Sequence, residues 1–406
     1  MKKICLITPG HISSDPRLIK EADTLSKNGY KVHLIFTQYM PYLIQDDNQI
    51  LRANPDWTFD FLNWSRLDFR SKINRIKSGF LKEFEKHVPV NRFSNSYAIY
   101  LNRNYSWQLR KAIAQNADLY IAHNLGALPV AVNAAKKTNA KSGFDGEDFH
   151  RNELSDDQND ADVKLNSIVE QKYIPYLSYF TAASPGIATK YAGIFKREVT
   201  TIVNVFPKIT IAKIIHNHQR PLRLFWFSQT IGPNRGIETI IEAVSLSNLT
   251  VELHLLGNVG KKYISKLEQL LSLTAKRLLL TLHAPISPEE VFNLAATFDI
   301  GIASEQRTPL NRDICLTNKL FTYIQCGLAI AVSSTSAQKD FIEKYPGTGK
   351  LYHDAAELAQ ILTLYDQQRD SLHQTKENNY QLGQDTLNWE NESKKFLNQI
   401  EICLTQ

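Results

Sequence analysis

Short apolar segments that alternate with amphipathic helical segments constrain the fold of this chain more than any other feature. The first apolar segment covers residues 3–8 and precedes a helix that the pair Asn28-Gly29 terminates. Similar segments at 118–123 and 179–184 also precede helices, and a second series begins at 222–228. Strands that are joined through helices form parallel sheets. We therefore predict an α/β fold with two Rossmann-like domains that face each other across a cleft.

The two series also predict the domain boundaries. A chain of 406 residues exceeds what one hydrophobic core usually holds. We expect an N-terminal domain over 1–208, a C-terminal domain over 209–385, and a final helix within 386–406 that packs back across the domain junction. Because α/β proteins usually bind ligands at the carboxyl ends of their strands, the cleft between the domains is the expected site.

Composition excludes several classes of protein. Apolar residues make up 43% and charged residues 22% of the chain, as in ordinary globular proteins rather than disordered or coiled-coil ones. No apolar stretch approaches the roughly 20 residues that cross a bilayer. No nucleic-acid-binding motif is present, so nucleic acid is not an expected partner. The four cysteines lack the spacing of metal sites or disulfide frameworks, which favours a reducing, cytoplasmic location.

A basic amphipathic helix is predicted over residues 69–86. Lys and Arg outnumber Asp and Glu by 27 to 21 in residues 1–200, whereas the two groups balance at 20 each in residues 201–406. The helix either packs on the N-terminal domain or binds the anionic inner face of a membrane. Its apolar face contains Phe69, Ile73, Ile76, Phe80 and Phe84, and its cations are Arg70, Lys72, Arg75, Lys77, Lys82 and Lys86.

Two strand-to-helix corners in the C-terminal half carry a cation next to the start of a helix. Residues 228–238 contain a Gly-Pro-Asn turn followed by Arg235 and Gly236, and Lys319 follows Thr317 at the second corner. Helix N-termini present unpaired N–H groups and cations pair with phosphate, so both corners suit a diphosphate. Alternatively, the first is a purely structural corner, and Thr317 only caps its helix.

Polar residues also follow the predicted strands of the N-terminal half. Gly10 and His11 follow the first strand, His123 ends another, and three acids and a histidine lie within 145–150. These positions suit contacts with a bound substrate. Helix capping alone also explains the sequence around Arg17, and a buried, hydrogen-bonded histidine is the alternative for His123. A second convergent cluster of metal ligands is lacking, so we predict no metal site.

In order and spacing, these segments resemble the retaining, GT-B-fold glycosyltransferases of family 4. The resemblance spans nearly the whole chain through ITPGHISSDPRLIKEADTLSKNGYKVHLI, YIAHNLGALP, FDGEDFH, ASPGI, NVFP, SQTIGPNRGIE and NKLFTYIQCGLAI. It implies that the N-terminal domain receives the acceptor and that the C-terminal domain binds a nucleotide diphosphate sugar as co-substrate, without metal or cofactor. It also implies transfer of the sugar with retention of configuration. The positive charge of residues 1–200 and the basic helix predict that the acceptor is a glycan or lipid-linked molecule of surface polysaccharide or glycoconjugate biosynthesis.

The resemblance implies roles for single residues. Arg235 and Lys319 would stabilise the leaving diphosphate, and His123 would position substrates rather than act as a base. The chain departs from the family at Thr322, where a carboxylate is expected, and at Gln229, where Arg is common. The implied donor-binding residues are Gly10, Gln229, Asn234, Arg235, Gly236, Ala284, Ile286, Glu305, Leu316, Thr317, Asn318, Lys319 and Thr322, and the implied acceptor-binding residues are His11, Arg17, Asn124, Glu147, Asp148 and His150.

Two hypotheses from other classes are compared with the transferase. Because Thr322 and Gln229 weaken the resemblance at the donor site, the chain could be a non-catalytic nucleotide-sugar-binding homologue or a partner subunit. A nicotinamide-dependent oxidoreductase would also contain Rossmann-like domains. However, the loop after the first strand reads PGHISSD rather than GxGxxG, which argues against a dinucleotide site.

Overall fold

The computed structural model describes residues 1–86, 96–211, 214, 220–273 and 277–405, except for the side chains of residues 78, 80–86 and 273. The chain divides into two compact units, Met1–Val203 with Ser393–Gln406, and Asn204–Glu392. The domain limits that the sequence suggests, at 208 and 385, stay predictions.

A parallel sheet of seven strands forms the centre of the first unit. Its strands are β1 (Lys3–Ile7), β2 (Lys31–Gln38), β3 (Thr58–Asn63), β4 (Leu119–His123), β5 (Lys141–Gly146), β6 (Tyr179–Ala182) and β7 (Thr200–Thr201). They lie in the order β3-β2-β1-β4-β5-β6-β7, and every pair is parallel. The carboxyl ends of β1, β4 and β5 therefore lie side by side, with His123 opposite Asp145.

Helices connect these strands, as the alternating pattern predicts. The first helix begins at a Pro16 that Asp15 precedes as N-cap, because the Asp15 carboxylate accepts a hydrogen bond from the Leu18 amide. It ends before Gly29, whose φ of +82° lies in the left-handed region that glycine favours. The helices of this unit are α1 (Pro16–Lys27), α2 (Ile44–Ala53), α3 (Phe69–Lys86), α4 (Ser96–Leu101), α5 (Tyr105–Gln115), α6 (Leu128–Thr138), α7 (Ala161–Tyr173) and α8 (Pro185–Phe195).

A parallel sheet of six strands forms the centre of the second unit. Its strands are β8 (Leu222–Ile231), β9 (Val251–Val259), β10 (Leu278–His283), β11 (Ile300–Ala303), β12 (Ala329–Ser333) and β13 (Gly349–Tyr352), in the order β10-β9-β8-β11-β12-β13. All of their pairs are parallel. The α/β prediction is thus confirmed for both units.

The first strand of the second unit is longer than the sequence pattern suggests. The sequence pattern places the strand over 222–228, ahead of the Gly-Pro-Asn turn, but β8 continues to Ile231 because Thr230 and Ile231 pair with β9 after a register shift. The helices that follow are α9 (Ile237–Ser247), α10 (Lys261–Leu273), α11 (Pro288–Ala295), α12 (Leu310–Ile314), α13 (Asn318–Gln325), α14 (Ser336–Lys344), α15 (Ala355–Gln367), α16 (Arg369–Asp385) and α17 (Trp389–Thr405).

The basic helix and the C-terminal helix that the sequence predicts are both present in the structure. The basic helix predicted over residues 69–86 is α3, although the side chains of Phe80, Lys82, Phe84 and Lys86 lie outside the described part of the chain. The predicted C-terminal helix is α17, which begins in the second unit and continues from Ser393 in the first. Among the described helices, none combines the length and the apolar composition that crossing a membrane requires.

Candidate functional site

In the second unit, the turn before α9 is held against the end of β11. Asn234 and Gly236 have φ values of 59° and 75°, and a Cβ on Gly236 would lie 2.6 Å from the Cβ of Ser304. The Ser304 hydroxyl donates to the Arg235 carbonyl at 2.7 Å and accepts a hydrogen bond from the Trp226 indole at 2.9 Å. The backbone of the Arg235 turn is thereby fixed at the carboxyl ends of β8 and β11.

The guanidinium of Arg235 is available for a ligand. Its side chain is half-buried, and it makes no hydrogen bond or ion pair with any residue that the structure describes. A guanidinium donates hydrogen bonds in a planar arrangement that fits phosphate oxygens. An unpaired guanidinium next to a helix N-terminus is therefore suited to an anion.

The second predicted cation, Lys319, already has a partner. Its Nζ lies 2.6 Å from Oε1 of Glu305, and both side chains are about 10% exposed. The ammonium also lies 5.5 Å from the centre of the Trp226 ring. Glu305 follows Ser304 directly, so the Lys319–Glu305 pair adjoins the Arg235 turn. An anion bound there would compete with Glu305 for Lys319.

The N-terminus of α13 lacks the cap that the sequence suggests. Thr317 occupies the N-cap position, but its side chain makes no capping hydrogen bond. Its buried Oγ1 has no hydrogen-bond partner among the described residues. The prediction that Thr317 caps the helix is thus wrong, because its hydroxyl does not reach an amide of the first turn. The first turn of α13 is left without a side-chain acceptor.

The remaining donor candidates lie in different environments. Thr322 is buried within α13, and Gln229 is exposed on β8. Ala284 and Ile286 are exposed in the loop that follows β10. Leu316 precedes the α13 N-cap and Asn318 is the first residue of α13, where its side-chain oxygen accepts a hydrogen bond from Asn204. Gly10 belongs to the first unit and follows β1.

The first unit contains a buried cluster of charged groups around His123. The imidazole is fully buried, its Nε2 lies 3.3 Å from Glu21, and its Nδ1 lies 3.4 Å from Glu147. Asp15 and Asp145 lie 3.9 and 3.8 Å from Nδ1. Burial alone would lower the pKa of His123, but the neighbouring carboxylates raise it well above its usual range.

Two of the acceptor candidates are occupied by protein groups. The Nε2 of His11 accepts hydrogen bonds from the amides of Tyr39 and Met40, and its Nδ1 lies 2.6 Å from Asp47. Arg17 is fully buried, pairs with both oxygens of Asp145, and donates to a backbone carbonyl at 2.7 Å. Neither side chain has a free polar atom for a substrate, so we omit both from the acceptor site.

The other acceptor candidates keep different degrees of access. The side chain of Glu147 is 19% exposed, and Asp148 is half-buried. Asn124 follows β4 with a φ of 66°. His150 is buried with Nδ1 3.0 Å from Glu153; burial lowers the pKa of His150, but Glu153 and nearby acids raise it above its usual value. Of these residues, Glu147 combines access with direct contact to His123.

Sequence reasoning missed Glu21 and Ser304. Glu21 is fully buried on the inner face of α1, one turn after the buried Arg17. Two charged residues four positions apart on the apolar face of a helix are the signal that could have found this cluster. The role of Ser304 depends on contacts with Arg235 and Trp226, which are distant in sequence and follow no motif.

The cluster contains side chains of the types that bind metals. Asp15, His123 and Glu147 have candidate ligand atoms within 4.8 Å of one another, and Glu21, His123 and Asp145 form a second such set. However, Arg17 already pairs with Asp145 inside the same cluster. In the second set, a guanidinium bonded to a carboxylate that a metal would need indicates an ion-pair network. Both sets also require a neutral His123, whereas the surrounding carboxylates raise the pKa of this ring. We therefore assign no metal ligands here.

Comparison with known proteins gives structural matches only, since no protein-family model and no curated protein matches the sequence. HepE from Anabaena, in complex with UDP and glucose, is 13% identical with a TM-score of 0.68, and the match covers 99% of this chain and 100% of that chain. A variant of S. aureus TarM, in complex with fondaparinux, α-GlcNAc-glycerol and UDP, is 12% identical with a TM-score of 0.67, over 98% and 99% of the two chains.

Sucrose-phosphate synthase from Thermosynechococcus elongatus is 14% identical with a TM-score of 0.66, and the match covers the whole of both chains. At such identities, the likeness concerns the fold. The two parallel sheets with their helices match these structures over nearly their full length. The chain therefore has the GT-B fold, with two Rossmann-like domains, that these glycosyltransferase structures share.

Proposed function

We propose that the protein is a glycosyltransferase that takes a sugar from a nucleotide diphosphate donor. The observation that carries the proposal is Arg235, which lies in the turn just before α9 and whose guanidinium has no partner among the described residues. The uncapped N-terminus of α13 adds partial positive charge from the same unit, and Lys319 would add its charge by exchanging Glu305 for a bound anion. A diphosphate is the ligand that this combination suits best.

In this reaction, the second unit would stabilise the charge that grows on the departing nucleotide diphosphate. Arg235 and Lys319 would supply that stabilisation, and no divalent metal would be needed. His123 and Glu147 in the first unit would orient the acceptor hydroxyl. We further propose transfer with retention of configuration, as in family 4, to a glycan or lipid-linked acceptor in polysaccharide or glycoconjugate biosynthesis.

The test is calorimetric titration with UDP, which HepE and TarM bind in their structures. Replacing Arg235 with Ala should weaken UDP binding by about 1.5 to 3 kcal/mol, the usual contribution of a charged hydrogen bond. Arg110→Ala, at an exposed arginine of α5, serves as control and should leave affinity unchanged. GDP and ADP are titrated in parallel. If no nucleotide binds, or if Arg235→Ala binds as well as the parent, the donor site is misassigned.

We also propose that α3 binds the anionic inner face of a membrane. Phe69 and Ile76 are 78% and 70% exposed, and Leu67, just before the helix, is 62% exposed. Lys72 and Lys77 on the same helix are also exposed. One side of α3 packs on the first unit, where the Asn74 amide donates to the Asn63 carbonyl at 2.9 Å and Arg103 donates to the Arg75 carbonyl at 2.7 Å. Phe69 and Ile76 of the same helix nevertheless face solvent. Exposed apolar side chains beside cations are typical of helices that lie on a membrane surface.

A further inference from the structure

Both ring nitrogens of His123 face carboxylates. On one side, Nε2 lies 3.3 Å from Oε2 of Glu21; on the other, Nδ1 lies 3.4 Å from Oε1 of Glu147. A neutral imidazole has one N–H donor and one lone pair, so it would turn that lone pair toward one of these carboxylates. An imidazolium has two donors and suits both sides.

The charged and titratable groups around the ring come from several elements. Besides Glu21, α1 contributes Arg17 and Lys20, and its N-cap is Asp15. Asp145 lies on β5 and Glu147 directly follows that strand, and the buried Tyr179 of β6 interacts with Glu21. His123 and Arg17 lie among four carboxylates, so the charge of the ring depends on which carboxylates have another counter-ion.

Three of the four carboxylates have other partners. Asp145 receives two hydrogen bonds from Arg17 and one from Thr181. Asp15 caps α1, and the side chain of Glu147 is partly exposed to water. Glu21 differs because it is fully buried, lies 3.7 Å from Arg17, and has no hydrogen-bond partner on either oxygen among the described residues. The ring of His123 lies nearer to Glu21, at 3.3 Å, than the guanidinium of Arg17 does.

We propose that Glu21 is a positioning residue that keeps His123 as an imidazolium, and that this cation in turn orients Glu147 toward the acceptor. The claim that His123 orients Glu147 rests on the proposed transferase function, whereas the claim that Glu21 keeps His123 charged does not. His123 then has no lone pair with which to accept a proton from the acceptor. Its contribution is a fixed N–H donor and a positive charge beneath the partly exposed Glu147.

The experiment follows the ring nitrogens of His123 by NMR on the full-length protein with ¹⁵N-labelled histidine, between pH 6 and 9. The variant His123→Asn assigns the signals. We expect both nitrogens of the parent to keep imidazolium shifts across this range. In Glu21→Gln the His123 ring should lose its proton within this range, at a midpoint at least about one pH unit below that of the parent, because the carboxylate that stabilises the charged ring is gone.

The control is Glu153→Gln, since the Glu153 carboxylate lies 3.0 Å from Nδ1 of a second buried histidine, His150. It should change the titration of His150 and leave that of His123 unchanged. A neutral His123 ring in the parent overturns the proposal without any variant, which covers the case in which Glu21→Gln does not fold. Unchanged titration of His123 in a folded Glu21→Gln variant also overturns it.

Kinetics test separately whether His123 orients Glu147. At pH values above 7, Glu21→Gln should raise the KM for the acceptor and leave the KM for the donor unchanged. A general loss of folding would lower kcat alone. Equal effects on both KM values would refute the orienting role of His123. If no nucleotide binds the parent, the transferase assignment fails, but the NMR result still decides whether Glu21 sets the charge of His123.

Discussion

The carboxylate of Asp15 has two roles that make opposite demands on its charge. As the N-cap of α1 it accepts a hydrogen bond from the Leu18 amide at 3.1 Å, which favours the ionised form. Yet the side chain is buried, and Glu147 lies close enough to oppose a second negative charge. Burial, reinforced by Glu147, raises the pKa of Asp15 from 3.8 to about 7.

This shift predicts a pH dependence of stability. Between about pH 4 and pH 7 the folded protein keeps a proton on Asp15 that the unfolded chain releases, so this group lowers the free energy of unfolding as pH rises through that window. Asp15→Asn keeps a capping side chain but cannot ionise. Relative to the parent, the variant should therefore be more stable at pH 8 than at pH 5, as urea unfolding at both values would show.

The control for the change of capping group is Asp354→Asn, at the exposed N-cap of α15. Its stability relative to the parent should not rise between pH 5 and pH 8 in the same way. A constant difference between Asp15→Asn and the parent at both pH values would contradict the raised pKa of Asp15.

At this scale, the sequence predicts positions better than roles. Arg235 and Lys319 are found from helix starts that follow strands, because a turn and its cation are adjacent in the chain. His11 follows a predicted strand end and Arg17 opens the helix after it, but their partners Asp47 and Asp145 are 36 and 128 residues away. Whether such a side chain is free depends on those distant partners, which no local pattern reveals.

Two threonines at the N-caps of α13 and α14 differ in what their hydroxyls do. Thr335 accepts a hydrogen bond from the Gln338 amide, whereas the buried hydroxyl of Thr317 has no partner among the described residues. A helix without a side-chain cap loses about 0.5 to 2 kcal/mol of stability. α13 therefore differs from α14 in how its first turn is satisfied.

Replacing each threonine with valine tests this difference. Thr335→Val leaves the Gln338 amide without its acceptor and should lower the free energy of unfolding by about 1 kcal/mol. Thr317→Val replaces an unpaired buried hydroxyl with a methyl group and should change it by less than about 0.5 kcal/mol. Urea unfolding measures both. Equal losses for the two variants would mean that Thr317 caps α13 in solution.

The surface of α3 is tested by co-sedimentation with vesicles that contain anionic lipids. Lys72→Gln/Lys77→Gln should weaken binding, since each cation near an anionic surface contributes roughly 1 kcal/mol, and high salt should do the same to the parent. Phe69→Ser/Ile76→Ser should weaken binding at both salt concentrations. The charge-matched control is Lys261→Gln/Lys262→Gln on α10, which should bind like the parent. A parent that ignores anionic vesicles at low salt refutes the membrane proposal.

Element boundaries show where local pattern reaches its limit. The start of α1 follows from Asp15 and Pro16, because capping depends on residues next to each other. The end of β8 does not follow from neighbouring residues, since the strand continues to Ile231 through pairing with β9. A strand end that depends on a register shift in its neighbour cannot be read from its own residues.

For the whole molecule, the presence of one parallel sheet in each half is the part that the sequence predicts best. The repeated alternation of apolar strands and amphipathic helices admits a parallel sheet in each half, and both sheets have that form. Function is less accessible, because structures with this fold at 12–14% identity do not determine the substrate of this chain. The distinction between an enzyme and a non-catalytic nucleotide-sugar binder therefore rests on turnover.

We expect donor turnover, measured as UDP released from UDP-sugars with or without acceptor, to continue in EDTA. The reason is that Arg235, Lys319 and two helix N-termini of the second unit would meet the charge of the departing diphosphate. Arg235→Ala should lower kcat/KM by about 1.5 to 3 kcal/mol in transition-state free energy, with Arg110→Ala unchanged. Loss of turnover in EDTA with rescue by Mn²⁺ would refute metal independence. UDP binding that depends on Arg235 without any turnover would instead favour the non-catalytic hypothesis, in which Thr322 and Gln229 have replaced groups that the reaction needs.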